Sequence, residues 1–170
     1  DLDEEPVKLA LRAQGLGAVA LAEALAERKS LSLAQHMPGR LILGCDQTLE
    51  CADGSMLDKA KDQNDAADIL ARLSGTGHRL HSAAVLTHHG EIVWRHCETV
   101  TLQMRSLSPQ FITSYLADEW ENCRWCVGCY RIEGPGAQLF SRISGSLFAV
   151  QGLPLLPMLD YLRTRSILQA

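Results

Sequence analysis

The stretch Arg40-Leu41-Ile42-Leu43-Gly44-Cys45-Asp46-Gln47-Thr48, RLILGCDQT, decides the fold. Pro38-Gly39 breaks the chain just before it, and the apolar run Arg40 to Gly44 reads as a short buried strand. Polar groups then appear abruptly at Cys45-Asp46-Gln47-Thr48, which marks the strand end. In α/β enzymes, strand ends open into a crevice, so a carboxylate delivered there is well placed for chemistry. Lys59 and Lys61 follow beyond the turn Ala52-Asp53-Gly54. A carboxylate beside lysines suits phosphate chemistry: the acid holds a divalent cation or activates water, and a lysine neutralises phosphate oxygens. On spacing alone, Asp46 reads equally well as a cap of a helix or turn, and Lys59 as a solvated charge.

Working outward, Gly17 to Lys29 is rich in Ala, Leu and Glu and predicts a helix. After Asp62, the residues Ala66, Ile69, Leu70 and Leu73 share one helical face, and Gly75 is the stop. Leu80 to Thr87 and Ile92 to Met104 predict strands joined by a turn at His88-His89-Gly90-Glu91. Ser108-Pro109 opens a helix through Leu116, with Ser as cap and Pro at the first position. Strand-like runs follow at Cys129 to Ile132 and Ala137 to Ile143, and Pro154 begins a final helix through Arg163. Interleaved helices and strands predict an α/β class with a mixed sheet and flanking helices.

The composition bounds the function. The chain has 170 residues, 46% of them hydrophobic and 21% charged, with a net charge of −4. That is enough chain for one domain, or for two small lobes sharing a sheet. A mildly acidic chain without a basic stripe does not suggest binding to a nucleic-acid polymer. No run approaches the ~18 apolar residues of a membrane span. The start, Asp1-Leu2-Asp3-Glu4-Glu5, lacks the basic region of a signal peptide, so free thiols and a cytoplasmic location are expected. It also lacks an initiator Met, as a piece of a longer product would.

Three cysteines, Cys123, Cys126 and Cys129, stand at the three-residue spacing found in iron–sulfur proteins. The usual downstream Cys-Pro is missing, and no second C-x-x-C completes a zinc ribbon. The thiols read more simply as small buried hydrophobes. His78 and His81 lack the H-E-x-x-H pattern of zinc hydrolases, and neither a P-loop nor a nucleophile elbow is present. Gly134-Pro135-Gly136 is explained by a tight turn.

Several stretches, taken in order, resemble the Maf family of nucleoside triphosphate pyrophosphatases. They are Gly44-Cys45-Asp46-Gln47, Asp53-Gly54, Lys59-Ala60, Leu73-Ser74-Gly75 and His78, then YRIEGPGAQLFSRISGSLFAVQGLPL. The leading DLDEEP and the later ALAERKS resemble the family's D-E segment and its L-A-x-x-K-A helix. The resemblance covers nearly the whole chain and implies two lobes around a cleft, usually in a homodimer. It implies hydrolysis of a nucleoside triphosphate to the monophosphate and pyrophosphate with a divalent cation, magnesium or manganese. Position by position, Asp46 matches the catalytic acid and a metal partner, and Glu4 (or Glu5) the early acid near the metal. Lys59, Gln47 and Glu133 match substrate-facing positions. The chain reads as a single Maf-like domain over residues 1–170 without the family's S-x-S-x-R-R start. Ala60 replaces the usual Pro, and Trp125-Cys126-Val127-Gly128 replaces a D-K-A-G run. Asp46-Gln47, Cys126-Val127-Gly128 and Glu133-Gly134 lie closer to the branch that prefers 7-methyl-GTP. The alternatives are a non-catalytic nucleotide-binding module on the same scaffold, or a metal protein built on the three cysteines.

Overall fold

The computed structural model describes residues 4–169, and of Glu4 and Glu5 only the backbone. Six helices and five strands follow in the order α1 (Glu4–Ala13), α2 (Ala18–Ala34), β1 (Leu41–Cys51), β2 (Met56–Leu57), α3 (Gln63–Leu73), β3 (Gly77–His88), β4 (Glu91–Met104), α4 (Pro109–Cys123), β5 (Phe140–Ser144), α5 (Leu147–Val150) and α6 (Leu155–Thr164). The strands form one sheet in the order β2-β1-β3-β4-β5.

The α/β class and the flanking helices are as expected. The sheet, expected to be mixed, is antiparallel. β2 pairs antiparallel with β1 and β5 with β4, and the two-residue turn between β3 and β4 permits only an antiparallel hairpin. Between β1 and β3 the partners run in opposite senses: Ser30 bridges Ile42 and Thr87, while Gln47 bonds Ser82. β3 is central, and it is buried at almost every position from His78 to Thr87.

The chain divides into two compact units. The first takes Asp1–Gln47, His81–Glu98 and Gly152–Ala170. Its tightest packing is made by small residues: Ala22 and Ala26 of α2 meet Ala83 and Val85 of β3. Gly44 of β1 lets the helix come closer still. A Cβ at Gly44 would lie 2.2 Å from the carbonyl oxygen of Ala26 and 2.5 Å from the amide nitrogen of Ser30. In the same unit, α6 is fastened by Tyr161, which stacks on Trp94 of β4 with centroids 5.7 Å apart.

The second unit takes Thr48–Leu80 and Thr99–Gln151. Its core is larger and built from long side chains, among them Leu49, Leu70, Leu73, Leu102, Met104, Leu116 and Leu139. Asp62 caps α3 by accepting from the amide of Asp65, and Ser108 caps α4 by accepting from Phe111. Both caps are the side-chain kind that satisfies an otherwise orphaned first-turn N–H.

Three expectations need correction. β1 does not end at Cys45 but runs on to Cys51, because Gln47 and Glu50 find cross-strand partners in Ser82 and Arg79. Asp46 therefore sits mid-strand. No strand forms at Cys129 to Ile132. Gly128 and Cys129 have φ of 81° and 58°, which takes the backbone out of the extended region. Residues 135–139 form a 3-10 turn, so the last strand starts only at Phe140. The helix α1 and the extension of α4 from Leu116 to Cys123 were not foreseen.

Candidate functional site

In the first unit, the site is built on the face that β1 turns toward α2. Alternation along the strand puts Ile42, Gly44 and Asp46 on one face. Gly44 brings α2 close, and Lys29 of α2 donates from Nζ to Asp46 Oδ1 at 2.6 Å. The Lys29 side chain is 30% exposed and that of Asp46 11%, so the pair is shielded but open to solvent on one side. Charge-assisted bonds of this length are among the stronger ones. The residue after Lys29 fixes the helix. Ser30 Oγ donates to the carbonyl of Ile42 at 3.1 Å and lies 2.8 Å from Thr87 Oγ1, and both side chains are fully buried. Beside Asp46, burial raises the pKa of Cys45, while Lys29 pulls it down and Asp46 pushes it up.

Gln47, the next residue, points to the opposite face by the same alternation and donates to Ser82 Oγ at 2.7 Å. The structure does not bring it beside the Asp46 carboxylate. Glu4 opens α1, and its side chain lies outside the described residues.

In the second unit, the groups gather at the surface around Cys126. Burial raises the pKa of this thiol first, Glu133 raises it further, and Arg131 and Lys59 lower it. The thiol is thus within electrostatic reach of Lys59, Arg131 and Glu133. Lys59 and Glu133 are both exposed. Lys59 is on the loop between β2 and α3, and the neighbouring amide of Ala60 bonds the thiol of Cys129. Glu133 precedes the turn Gly134-Pro135-Gly136, which folds back because Gly134 N–H donates to the carbonyl of Arg131. Beneath that turn, Arg131 Nη2 bonds Glu119 Oε2 at 3.4 Å. Lys61 is in the same loop as Lys59, and its amide donates to Asp65.

The three cysteines are free thiols. Two successive turns link them, with Cys126 N–H donating to Cys123 O and Cys129 N–H to Cys126 O. Burial drives the thiols of Cys123 and Cys129 up to about 11 and about 12. Burial thus favours the protonated thiol at both positions. Among the described residues, no group of three or more His, Cys, Asp or Glu side chains is placed to hold a metal ion.

Sequence reasoning assigned no role to Lys29, Ser82, Glu119 or Arg131. The ALAERKS helix was legible, but a lysine in an Ala-Leu-Glu helix reads as solvated until Gly44 is seen to bring the helix against the strand.

The sequence matches the family model described as Maf-like protein over residues 1–165. The chain belongs to the Maf family. It is 44% identical over 166 residues to a protein of Sphingopyxis alaskensis named nucleoside triphosphate pyrophosphatase, covering 98% of this chain and 84% of that one. It is 42% identical over 167 residues to a protein of the same name from Granulibacter bethesdensis, covering 98% and 84%. A 7-methyl-GTP pyrophosphatase of Mesorhizobium japonicum is 43% identical over 164 residues, covering 96% and 82%. The Maf assignment also fits the order of the motifs, since the Asp46 strand and the Glu133 turn lie inside the matched span.

Proposed function

We propose that this chain is a hydrolase that cleaves a nucleoside triphosphate to the monophosphate and pyrophosphate. The observation that carries this reading is the near-full-length identity to proteins named nucleoside triphosphate pyrophosphatase. The geometry adds a mechanism. Attack on the α-phosphorus needs a water held in line and a group to take its proton. Asp46 is that group: it is mostly shielded, and the Lys29 ammonium fixes the direction of its carboxylate. Lys59, exposed on its loop, neutralises phosphate oxygens as charge builds on the leaving pyrophosphate.

A divalent cation, magnesium or manganese, belongs to the same proposal. The hard carboxylate of Asp46, with Glu4 as its partner, is the donor type such ions take. Magnesium needs only one or two carboxylates when substrate phosphates and water complete its shell. When bound, it would supply charge neutralisation at the phosphates. A cytoplasmic location and a homodimeric assembly complete the proposal on the strength of the family resemblance. No helix among the described residues is long and apolar enough to cross a membrane.

The base preference is the finer part. Glu133 beside the half-buried Cys126 supports a base rich in hydrogen-bond donors, with 7-methyl-GTP as the first candidate, the substrate in the name of the Mesorhizobium relative. The test is pyrophosphate release from a panel of nucleoside triphosphates, 7-methyl-GTP included, with magnesium or manganese. Release from one or a few is expected. Tight nucleotide binding without release would turn the reading to a non-catalytic module.

A further inference from the structure

The turn that carries Glu133 rests on a partly buried charge pair that the mechanism above does not use. Glu119, on the buried face of α4, is 7% exposed, and its Oε2 accepts from Arg131 Nη2 at 3.4 Å. The Arg131 guanidinium lies directly under the turn. A Cβ at Gly134 would lie 3.4 Å from Arg131 Nη2 and 3.8 Å from Glu119 Oε2. At Gly136 a Cβ would come within 2.5 Å of the Arg131 carbonyl oxygen and 2.8 Å of its amide nitrogen. The two glycines let the chain wrap around Arg131, and Glu133 stands on the rim of that wrap. Arg131 is not fully satisfied. Its Nε is buried and has no hydrogen-bond partner among the described residues, and its bond to Glu119 is long.

We propose that the Glu119–Arg131 pair is a positioning device that aims Glu133 and thereby sets which nucleobase the site accepts. The guanidinium is bonded by one carboxylate, Glu119, and Glu133 follows Arg131 by two residues in the chain. Glu119 takes up the charge of Arg131 from below, so the exposed Glu133 keeps its acceptor oxygens for a ligand. A base edge with several N–H donors, as guanine presents, matches two carboxylate oxygens held in one orientation. If Arg131 loses its partner, it turns toward Glu133 instead and the two neutralise each other. Selectivity would then fall although Glu133 itself is unchanged. The electrostatic reach of Arg131, Lys59 and Glu133 to the one thiol of Cys126 is consistent with this proximity.

The inference rests on the reading of Glu133 as a base-contacting residue. The experiment is kcat/KM for 7-methyl-GTP, GTP and UTP, measured on the wild-type chain and on Glu119→Gln, Arg131→Met and the double variant. Arg131→Met alone leaves Glu119 buried without its cation and is open to misfolding. The double variant removes both charges at nearly constant volume and is checked by circular dichroism and thermal midpoint. The expected result is a preference ratio between best and worst nucleotide that shrinks about tenfold in Glu119→Gln and returns toward the wild-type ratio in the double variant, where no guanidinium is left to turn toward Glu133. A merely structural role would lower all three substrates together and leave the ratio unchanged, and that result overturns the inference alone. A wild-type chain that releases pyrophosphate from none of them, or from all equally, overturns the reading of the site and the inference with it.

Discussion

In the first unit, the carboxylate of Asp46 sits in the middle of a strand, against a helix whose contacts are alanines, Ser30 and the strand's own Gly44. In the second, Lys59 and Glu133 stand exposed on loops at the edge of a core of leucines, methionine and aromatics. The difference suits the roles proposed for the two sets of groups. A proton acceptor has to be held to within a fraction of an ångström of a reacting water, which close-packed backbone does. A group proposed to meet a variable base is well carried by a turn, where sequence can change without disturbing a helix or strand. The small residues are the means in the first unit. They shorten the distance between α2 and β1 until Lys29 can reach Asp46.

That contrast can be broken most severely at Asp46 itself. Asp46→Asn should lower kcat by about a thousandfold, within the range for removing a general base. Its thermal midpoint should stay near that of the wild type, since Asn keeps the shape and can still accept from Lys29. Full activity in this variant would remove Asp46 from its role. Gly44→Ala attacks the packing instead. The new Cβ would meet backbone atoms of Ala26 and Ser30, which cannot rotate away. The expected cost is about 3 kcal/mol, at the upper end for overpacking. For a chain of this size that is a fall of roughly 6–12 °C in Tm. An unchanged midpoint would show that the close contact of α2 with β1 is slack.

Much of the fold was legible, and the failures share a cause. The helices at Gly17 and Asp62 and the β3–β4 hairpin announce themselves by periodicity and turn residues, which act locally. The end of β1 did not, because Asp46 and Gln47 look like a strand end until their partners on α2 and β3 are known. The expected strand at Cys129 to Ile132 failed for a local reason that the sequence signals only at Gly128: Cys129, a residue without special freedom, also takes a positive φ, of 58°. At the site, Asp46, Lys59 and Glu133 were named from motif order. Lys29 and the Glu119–Arg131 pair were not, because each acts through a contact between elements far apart in sequence. Gln47 was named as well; strand alternation places it on the face of β1 opposite Asp46, where it bonds Ser82.

The second unit has its own weak point, and it is sensitive to acid. His78 is 2% exposed, and its Nε2 lies 2.7 Å from the hydroxyl of the equally buried Tyr130. Burial holds the imidazole pKa down, from 6.5 to about 4. The unfolded chain therefore binds this proton at a higher pH than the folded one. Stability from this group is fully present above pH 6.5 and is lost as pH falls from 6.5 toward 4. The expected loss is about 1.4 kcal/mol per pH unit, or about 3 kcal/mol across the window. Urea denaturation of the wild type and of His78→Gln at pH 7, 6, 5 and 4.5 checks this. The wild type should lose stability more steeply than the variant, and parallel curves would show that His78 takes up its proton while folded.

The smallest effect lies in the first unit, and it asks whether the polar contacts there stabilise or merely fit. With Ser30 Oγ donating to Ile42, the Thr87 hydroxyl is left to donate to Ser30 Oγ, so one proton serves each bond. Ser30→Ala removes a donor to Ile42 and the near partner of Thr87, and should cost about 1–2 kcal/mol, because a buried hydroxyl is then left with only a long contact to the Ser30 carbonyl. Thr87→Val should cost less, since Ser30 keeps Ile42. The double variant Ser30→Ala/Thr87→Val leaves no orphaned hydroxyl, so its cost should fall below that of Ser30→Ala alone, with a coupling of about 1 kcal/mol in the double-mutant cycle. If the two single costs simply add, the hydroxyls are not coupled. Ser30 would then hold α2 on β1 through its bond to Ile42, beside Gly44 and the Lys29–Asp46 pair, with no contribution from Thr87.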